Sequence, residues 1–457
     1  MSVLLLSSCT VGPDFKLPPV LMPSKWKNGS TSVGDLPPPN EWWRLFNSAE
    51  LNGLVEQSLA NNQDLKGALA RAETARILVG VQEADWFPQL NMKNAFTYER
   101  LSLTSFGANL PAGIPLPGIH RRRFQNLLEL GWELDLWGRV RRGVEGAKAN
   151  QLAVEETLAA QRLSIAAEVA RLYFLTRSLD RQIQVVNETI SSRQEAQGLQ
   201  QSRFEGGLAN EMDVSRAKTE VELARNDLAS LERQRGNAEN ALAVITGQLP
   251  STFRLSRSGR LPGMPRLPGG IPSTLLQRRP DIRAAEQRMR EANAKIGVAK
   301  ASFFPTFQIG GSGGLESIGA AQFYDARSRV LSIGPSMTLP IFQGGRLKAN
   351  YQASKSQFDE TLAAYQQSIL TALKEVEDSM VDVKAYGRQQ SALNAAISAA
   401  GETERLADLR YQKGLASYFE VVEGNRTVLS AKLLAAQVEG QRLIAAVAML
   451  KALGGGW

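Results

Sequence analysis

A long helical hairpin with a glycine turn at its tip is written twice in this chain, and that duplication constrains the fold more than any other feature. Arg203-Phe204-Glu205-Gly206-Gly207-Leu208-Ala209 is answered 207 residues later by Arg410-Tyr411-Gln412-Lys413-Gly414-Leu415-Ala416. The same offset runs on without a gap along the following helix. Val214, Ala217, Val221, Ala224, Leu228 and Leu231 fall on Val421, Gly424, Val428, Ala431, Ala435 and Val438. Alternating steps of three and four make this a coiled-coil seam. The helix before the tip repeats as well, with Ile165, Val169, Leu172, Thr176 and Leu179 matching Ile369, Leu373, Val376, Met380 and Val383.

A period near 200 residues is too long for a solenoid repeat. It means one duplicated half-molecule, with pseudo-twofold internal structure. No proline interrupts the chain between Pro117 and Pro250, or after Pro340. The pattern therefore predicts helices over about 140–204 and 346–411, each about 100 Å long at 1.5 Å per residue. No single globular core needs such a helix, and a heptad seam needs partners along its whole length.

Each copy also carries a strand pair. Segments ending Ala84-Asp85-Trp86-Phe87-Pro88 and Ala301-Ser302-Phe303-Phe304-Pro305 switch there from a helical period to a period of two. Residues 88–100 and 122–137 form the first pair, with Phe124, Asn126, Leu128, Leu130, Trp132, Leu134 and Leu136 on one face. The other face carries Gln125, Leu127, Glu129, Gly131, Glu133 and Asp135. The second pair spans 305–316 and 328–342, with Leu331, Ile333, Met337, Leu339 and Ile341 apolar. Such alternation suits antiparallel strands with one wet face. Four strands cannot close a barrel around a lumen, so closure requires several chains. The geometry asks for a symmetric oligomer with a β-barrel at one end and a helical tube at the other.

The remaining composition excludes other classes. One cysteine and one histidine in 457 residues rule out a disulfide framework and argue against structural zinc. No run approaches 18 apolar residues, so no transmembrane helix is expected. The net charge of +8 is spread along amphipathic helices beside acidic residues, without the interleaved aromatics of a nucleic-acid surface. No nucleophile has a supporting motif, so no catalytic residues, cofactor or metal site are assigned.

Val3-Leu4-Leu5-Leu6-Ser7-Ser8-Cys9 looks like the end of a bacterial lipoprotein signal peptide. In that reading Cys9 becomes the lipid-bearing first residue of the mature chain. The apolar run is shorter than a working signal, so the natural start is expected upstream. The proline-rich stretch from Pro13 to Pro39 reads as an extended strap.

The chain resembles the TolC-like outer-membrane factor family, specifically the lipoprotein channels of RND-type multidrug efflux pumps. The resemblance rests on Ile271-Pro272-Ser273-Thr274-Leu275-Leu276-Gln277-Arg278-Arg279-Pro280-Asp281-Ile282, on Glu133-Leu134-Asp135-Leu136-Trp137-Gly138-Arg139, on both tip motifs, and on Leu450-Lys451-Ala452-Leu453-Gly454-Gly455-Gly456-Trp457. It implies an α+β membrane protein: a homotrimer whose four strands per chain give a twelve-stranded β-barrel, continued by a periplasmic α-helical coiled-coil barrel. It also implies outer-membrane lipid, a periplasmic adaptor and an inner-membrane RND-type pump as partners, with no nucleic acid. Type I protein secretion and metal-ion efflux are the alternatives.

The expected layout is a signal remnant at 1–8, a lipid-anchored strap at 9–43, and helices of the first repeat at 44–87. The first strand pair follows at 88–138, the first long hairpin at 139–247, and a linker and equatorial segment at 248–277. The second repeat has its helix at 278–304, its strand pair at 305–344, and its hairpin and C-terminal end at 345–457.

By the resemblance, the periplasmic gate lies at the tips. Tyr411 takes the place of a latching tyrosine and Asp213 that of its acidic partner. Glu420 and Glu423 take the places of an acidic pair ringing the closed pore, and Phe419 that of an apolar constriction. Read alone, both glutamates also fit exposed heptad flanks. Ala416 stands where the family pattern has an arginine latch; Arg426, three residues past Glu423, is placed to supply a local ion pair. Gly206, Gly207, Leu208, Gly414, Leu415 and Ala416 are expected to form the adaptor-docking turns, because glycine permits the left-handed backbone of a helix end.

Overall fold

The computed structural model describes residues 10–28, 40–100, 120–267 and 271–455. Cys9 and the connection 101–119 lie outside them. The elements begin where a side chain can satisfy a helix end. The Ser48 hydroxyl accepts the Leu51 N–H at the start of α1 (Ala49–Asn61), and Asn62 does the same for Leu65 in α2 (Gln63–Glu83). Next come β1 (Gln89–Arg100), β2 (His120–Leu134), α3 (Arg139–Glu205) and α4 (Glu211–Ile245). The second copy follows a short α5 (Leu275–Arg278) and runs α6 (Pro280–Ala301), β3 (Thr306–Ser317), β4 (Arg329–Thr338), α7 (Arg346–Gln412) and α8 (Tyr418–Ala452). Helices α3 and α7 are both 67 residues long, and α4 and α8 both 35. The duplication therefore reaches the lengths of the elements.

The chain divides into two compact units, and each draws on both copies. One comprises Met1–Pro18, Glu73–Ala153 and Glu286–Ala364; the other comprises Pro19–Ala72, Val154–Ala285 and Tyr365–Trp457. The expected succession of segments is thus interleaved, because equivalent elements of the two copies pack together.

In the first unit the sheet order is β1-β2-β3-β4, antiparallel throughout. Register sorts the side chains cleanly. Leu90 faces Leu130, Met92 faces Leu128, Phe96 faces Phe124, and Phe307 faces Met337, all on one side. Leu90, Met92, Phe96, Leu128, Leu331, Ile333 and Met337 are exposed there. Lys93, Gln125, Glu129, Gln308, Ser312 and Ser332 share the other side, with Leu127, buried opposite Gly314, and Val330 as apolar exceptions. An exposed apolar face of this extent is the outer surface of a membrane barrel, not of a water-soluble sheet. Among the described residues, the outer edges of β1 and β4 have no partner strand.

Two strands stop earlier than the alternation predicts, at Leu134 and Thr338 in place of 137 and 342. Leu136, Leu339 and Ile341 are therefore outside the sheet. Asp135 instead receives the Val140 and Arg141 N–H groups at the start of α3, 3.2 and 2.9 Å away. Glu133 binds Arg139 through two hydrogen bonds of 2.7 and 2.6 Å, and Trp137 Nε1 donates to the Pro305 carbonyl. Pro340 has no N–H to offer a ladder. The described start of the chain is fastened in the same unit: Val11 N–H donates to the Trp137 carbonyl, Arg142 pairs with Asp14 at 2.7 Å, and Asn293 donates to the Pro13 carbonyl.

The core of the second unit gathers Trp42, Phe46, Leu51, Val169, Phe174, Leu242 and Leu450. Trp42–Phe46 is a 3₁₀ turn with both tryptophans buried, so Trp42 and Trp43 belong to this core. The Arg279-Pro280-Asp281 string has a mechanical reading. Pro280 opens α6, while buried Arg279 binds Asp281, Glu375 and the Ala452 carbonyl in the last turn of α8. Buried Asp180 holds Arg177, Arg235 and the Ser258 N–H, which ties the connecting segment to α3 and α4. Helix α8 is long and apolar enough to cross a membrane by length and composition, contrary to the expectation of no such helix. Its Val421, Val428, Leu443, Val447 and Leu450 are buried in the protein instead.

Candidate functional site

The two hairpin tips, both in the second unit, end by one backbone device. In the first, Leu208 N–H donates to the Arg203 carbonyl at 2.7 Å and Gly207 N–H to the Phe204 carbonyl at 2.9 Å. In the second, Leu415 donates to Arg410 and Gly414 to Tyr411, at 2.9 and 3.0 Å. These are Schellman motifs, which need a left-handed residue after the helix. Gly207 and Gly414 supply it, at φ 74° and 71°. No atom lies within 4 Å of a Cβ built on either glycine, and Leu208 and Leu415 are exposed beside them.

Behind the turns the hairpins are joined by charge and by aromatic packing. The Glu220 carboxylate, its side chain 6% exposed, meets Arg193 of α3 at 3.1 Å and Arg426 of α8 at 2.9 Å. Arg193 also donates to the Glu220 carbonyl, and Arg426 reaches on to Glu423 at 3.0 Å. The result is a chain of alternating charges, Arg193–Glu220–Arg426–Glu423, across three helices. Burial pulls the Arg193 guanidinium below its ordinary range, while its hydrogen bond to Glu220 holds half-exposed Arg426 above its own. Tyr418, Ala217, Val421 and Val422 pack as a small core nearby, and burial pushes the Tyr418 phenol up.

The expected site residues are only partly brought together. The Tyr411 hydroxyl donates to buried Gln200 at 2.9 Å, not to Asp213. Gln200 is 1% exposed, and its amide oxygen takes its donor there. The Tyr411 ring lies under Arg203 and against Tyr418. Asp213 sits in the first turn of α4, its N–H capped by Asn210 and its carboxylate 3.8 Å from Arg216. Half-exposed Phe419 is covered by the Arg216 guanidinium, 5.5 Å from the ring centre. Glu420 lies 3.6 Å from Arg410. The two acids of the expected ring are thus each accompanied by an arginine of their own chain.

Sequence reasoning missed Glu220, Arg193 and Gln200. Glu220 does carry a signal. It falls beside the seam between Ala217, Val221 and Ala224, whose small side chains leave room for a guanidinium.

Comparison with known proteins decides the family. The model of the outer membrane efflux protein family matches residues 54–248 and 271–455, one match for each copy of the duplication. This chain belongs to the outer membrane efflux protein family. Outer membrane protein OprJ of Pseudomonas aeruginosa is 33% identical over 99% of this chain and 94% of its own length. Cation efflux system protein CusC of Escherichia coli O6:H1 is 28% identical over 99% of this chain and 97% of its own. The solved outer-membrane channel OprN superposes with a TM-score of 0.90 at 30% identity, covering 98% of this chain and all of that one. As an outer membrane efflux protein, the chain is a passive outer-membrane channel subunit and performs no reaction. The exposed apolar sheet face is the part that enters the membrane.

Proposed function

We propose that three copies of the chain close a twelve-stranded pore and form the exit duct of a tripartite drug-efflux pump, with a periplasmic adaptor and an inner-membrane RND-type pump. The observation that carries this reading is the open four-stranded sheet. Its apolar face is exposed, and the β1 edge of one copy and the β4 edge of the next are left to pair. Twelve strands leave a lumen where four leave none. Cys9 adjoins the stretch from Val11 to Asp14 that is fastened to α3 and α6, and that supports an acyl anchor on Cys9 beside the barrel.

The tips act as gate and adaptor seat. Gly206, Gly207, Leu208, Gly414, Leu415 and Ala416 offer open turns with exposed leucines, which suits reception of another chain's hairpin. Phe419, Glu420 and Glu423 form the constriction, and the Glu220 clamp with Arg193 and Arg426 holds the two hairpins together in the closed state. Because Arg410 and Arg426 accompany the acids, opening exchanges these pairs for solvent, without any need to overcome a dry carboxylate ring. Similarity to CusC favours metal-ion export as a second reading.

The test is a rescue in an efflux-deficient bacterium carrying candidate adaptor–pump pairs. Drug resistance is expected to return with the wild-type chain, and Gly414→Trp is expected to abolish it while trimers persist in native mass spectra. Restored tolerance to toxic metal cations without drug resistance selects the second reading. Unchanged resistance in the tryptophan variant removes the tips as the docking site.

A further inference from the structure

The four strands distribute their cations unevenly. All four helix connections leave the sheet at one end, through β1's start, β2's end, β3's start and β4's end. The opposite end carries the connections 101–119 and 318–328. On the apolar face at that end, Arg100 pairs in register with His120, Tyr98 with Arg122, and Leu315 with Arg329. Arg100, His120, Arg122 and Arg329 are all exposed. Tyr98 stacks on His120 and shares a 2.8 Å hydrogen bond with its Nδ1.

No aspartate or glutamate lies on the apolar face of any of the four strands, and the segment 101–119 contains no charged residue. Among the described residues, Arg100, Arg122 and Arg329 have no carboxylate partner. At the start of α3 in the same unit the arginines do have acids. There Arg139 meets Glu133, Arg141 meets Asp135, and Arg142 meets Glu145. On the polar face of the loop end, Arg123 has Glu316 at 3.5 Å, and Arg121 stands opposite Glu99. Within the four strands, Lys93 and Arg123 have carboxylate partners and Arg121 stands opposite Glu99, so the strand cations without one lie on the apolar face of the loop end.

Their depth fits a headgroup. From Leu90 to Arg100, or from Trp132 to Arg122, is about 33 Å of strand. At the tilt of a membrane barrel this stands about 25 Å tall, the height of the apolar band. Arg100 and Arg122 then lie just beyond the hydrocarbon, past the aromatics Phe96 and Phe124, and Arg329 is the first residue of β4 at the same end of the sheet. If three chains close the pore by joining β4 of one copy to β1 of the next, Arg329 of one copy and Arg100 and Arg122 of the next come to three adjacent strands. Those strands span about 10 Å.

We infer that this rim binds the phosphate monoesters of an anionic outer-leaflet lipid, three sites per pore at the junctions between copies. The inference rests on the barrel closure proposed above. An arginine fork matches a phosphate in both charge and geometry, and a neutral headgroup offers no such match.

The test uses the purified full chain in detergent, titrated with bis-phosphorylated lipid A and followed by native mass spectrometry. Wild-type trimers are expected to retain lipid A in preference to phosphatidylcholine. The variant R100Q/R122Q/R329Q is expected to stay trimeric and to bind lipid A more weakly, by a factor on the order of ten to a hundred. Monophosphoryl lipid A is expected to bind the wild type less well and to erase much of the difference from the variant. R121Q/R123Q/R327Q removes the same charge from the polar face and the loop, and is expected to behave as wild type. The inference is overturned if the first variant keeps wild-type affinity, if the control variant loses as much, or if wild-type trimers show no preference for lipid A. A wild-type chain that is monomeric in the same spectra overturns the barrel closure, and this inference with it.

Discussion

The tips of the two hairpins share a backbone turn and differ in the side chains that cap and clamp the helices behind it. Both turns close through the same two hydrogen bonds around a left-handed glycine. Yet α4 begins with Asn210 accepting the Asp213 N–H, whereas Ser417, its counterpart before α8, makes no side-chain cap. Glu220 in α4 is buried between two arginines, whereas its counterpart Thr427 only bonds back to the Glu423 carbonyl. The turn is a local solution that duplication preserved. The charge clamp is a long-range one, and only the first copy supplies its buried carboxylate.

The largest effect is expected at Glu220. Glu220→Ala strips Arg193 of its carboxylate inside the protein, a loss of about 3–5 kcal/mol for a broken buried pair. Thr427→Val is expected to cost about 0.5 kcal/mol or less. Hydrogen exchange of the tip amides reads both, and equal loss of protection in the two variants breaks the asymmetry.

The glycines test the shared part. Gly207→Ala and Gly414→Ala each force an L side chain to positive φ, at a cost of about 1 kcal/mol. Because neither position has a neighbour to clash with, the two costs are expected to match. Thermal unfolding of both variants measures this, and a marked difference means that one tip is packed in the assembled channel.

The caps give the smallest and sharpest contrast. Asn210→Ala is expected to weaken its helix start by about 1 kcal/mol, and Ser417→Ala by only a few tenths. Urea dependence of the tip amides separates the two, and a larger effect at Ser417 reverses the assignment of caps.

What the sequence revealed follows the same division between local and distant causes. The seam from Ile165 to Leu179 was legible because each residue's burial repeats along its own helix, and all five positions are buried. The apolar and polar faces of β2 were legible because the pleat fixes them. The turns at Gly207 and Gly414 were legible because few other residues tolerate that backbone. Glu220 was not, since its burial depends on Arg426, 206 residues away, and its spacing alone matches any solvated flank. Nor was Gln200 as the partner of Tyr411, 211 residues apart. The strand ends were misjudged because Leu136 and Ile341 keep the alternation, while Asp135 and Pro340 withdraw the backbone from the ladder.

The unpaired edges of β1 and β4 also bear on inheritance. A chain whose edge is spoiled, for example by proline within β4, cannot join a pore, so it leaves its normal siblings to assemble among themselves. Such an allele is expected to be recessive. A chain with intact edges and a damaged tip enters pores freely and contaminates them. At equal expression only about one pore in eight then contains three sound copies. A cell carrying both alleles is expected to lose most of its resistance, so tip lesions should be dominant and edge lesions should not.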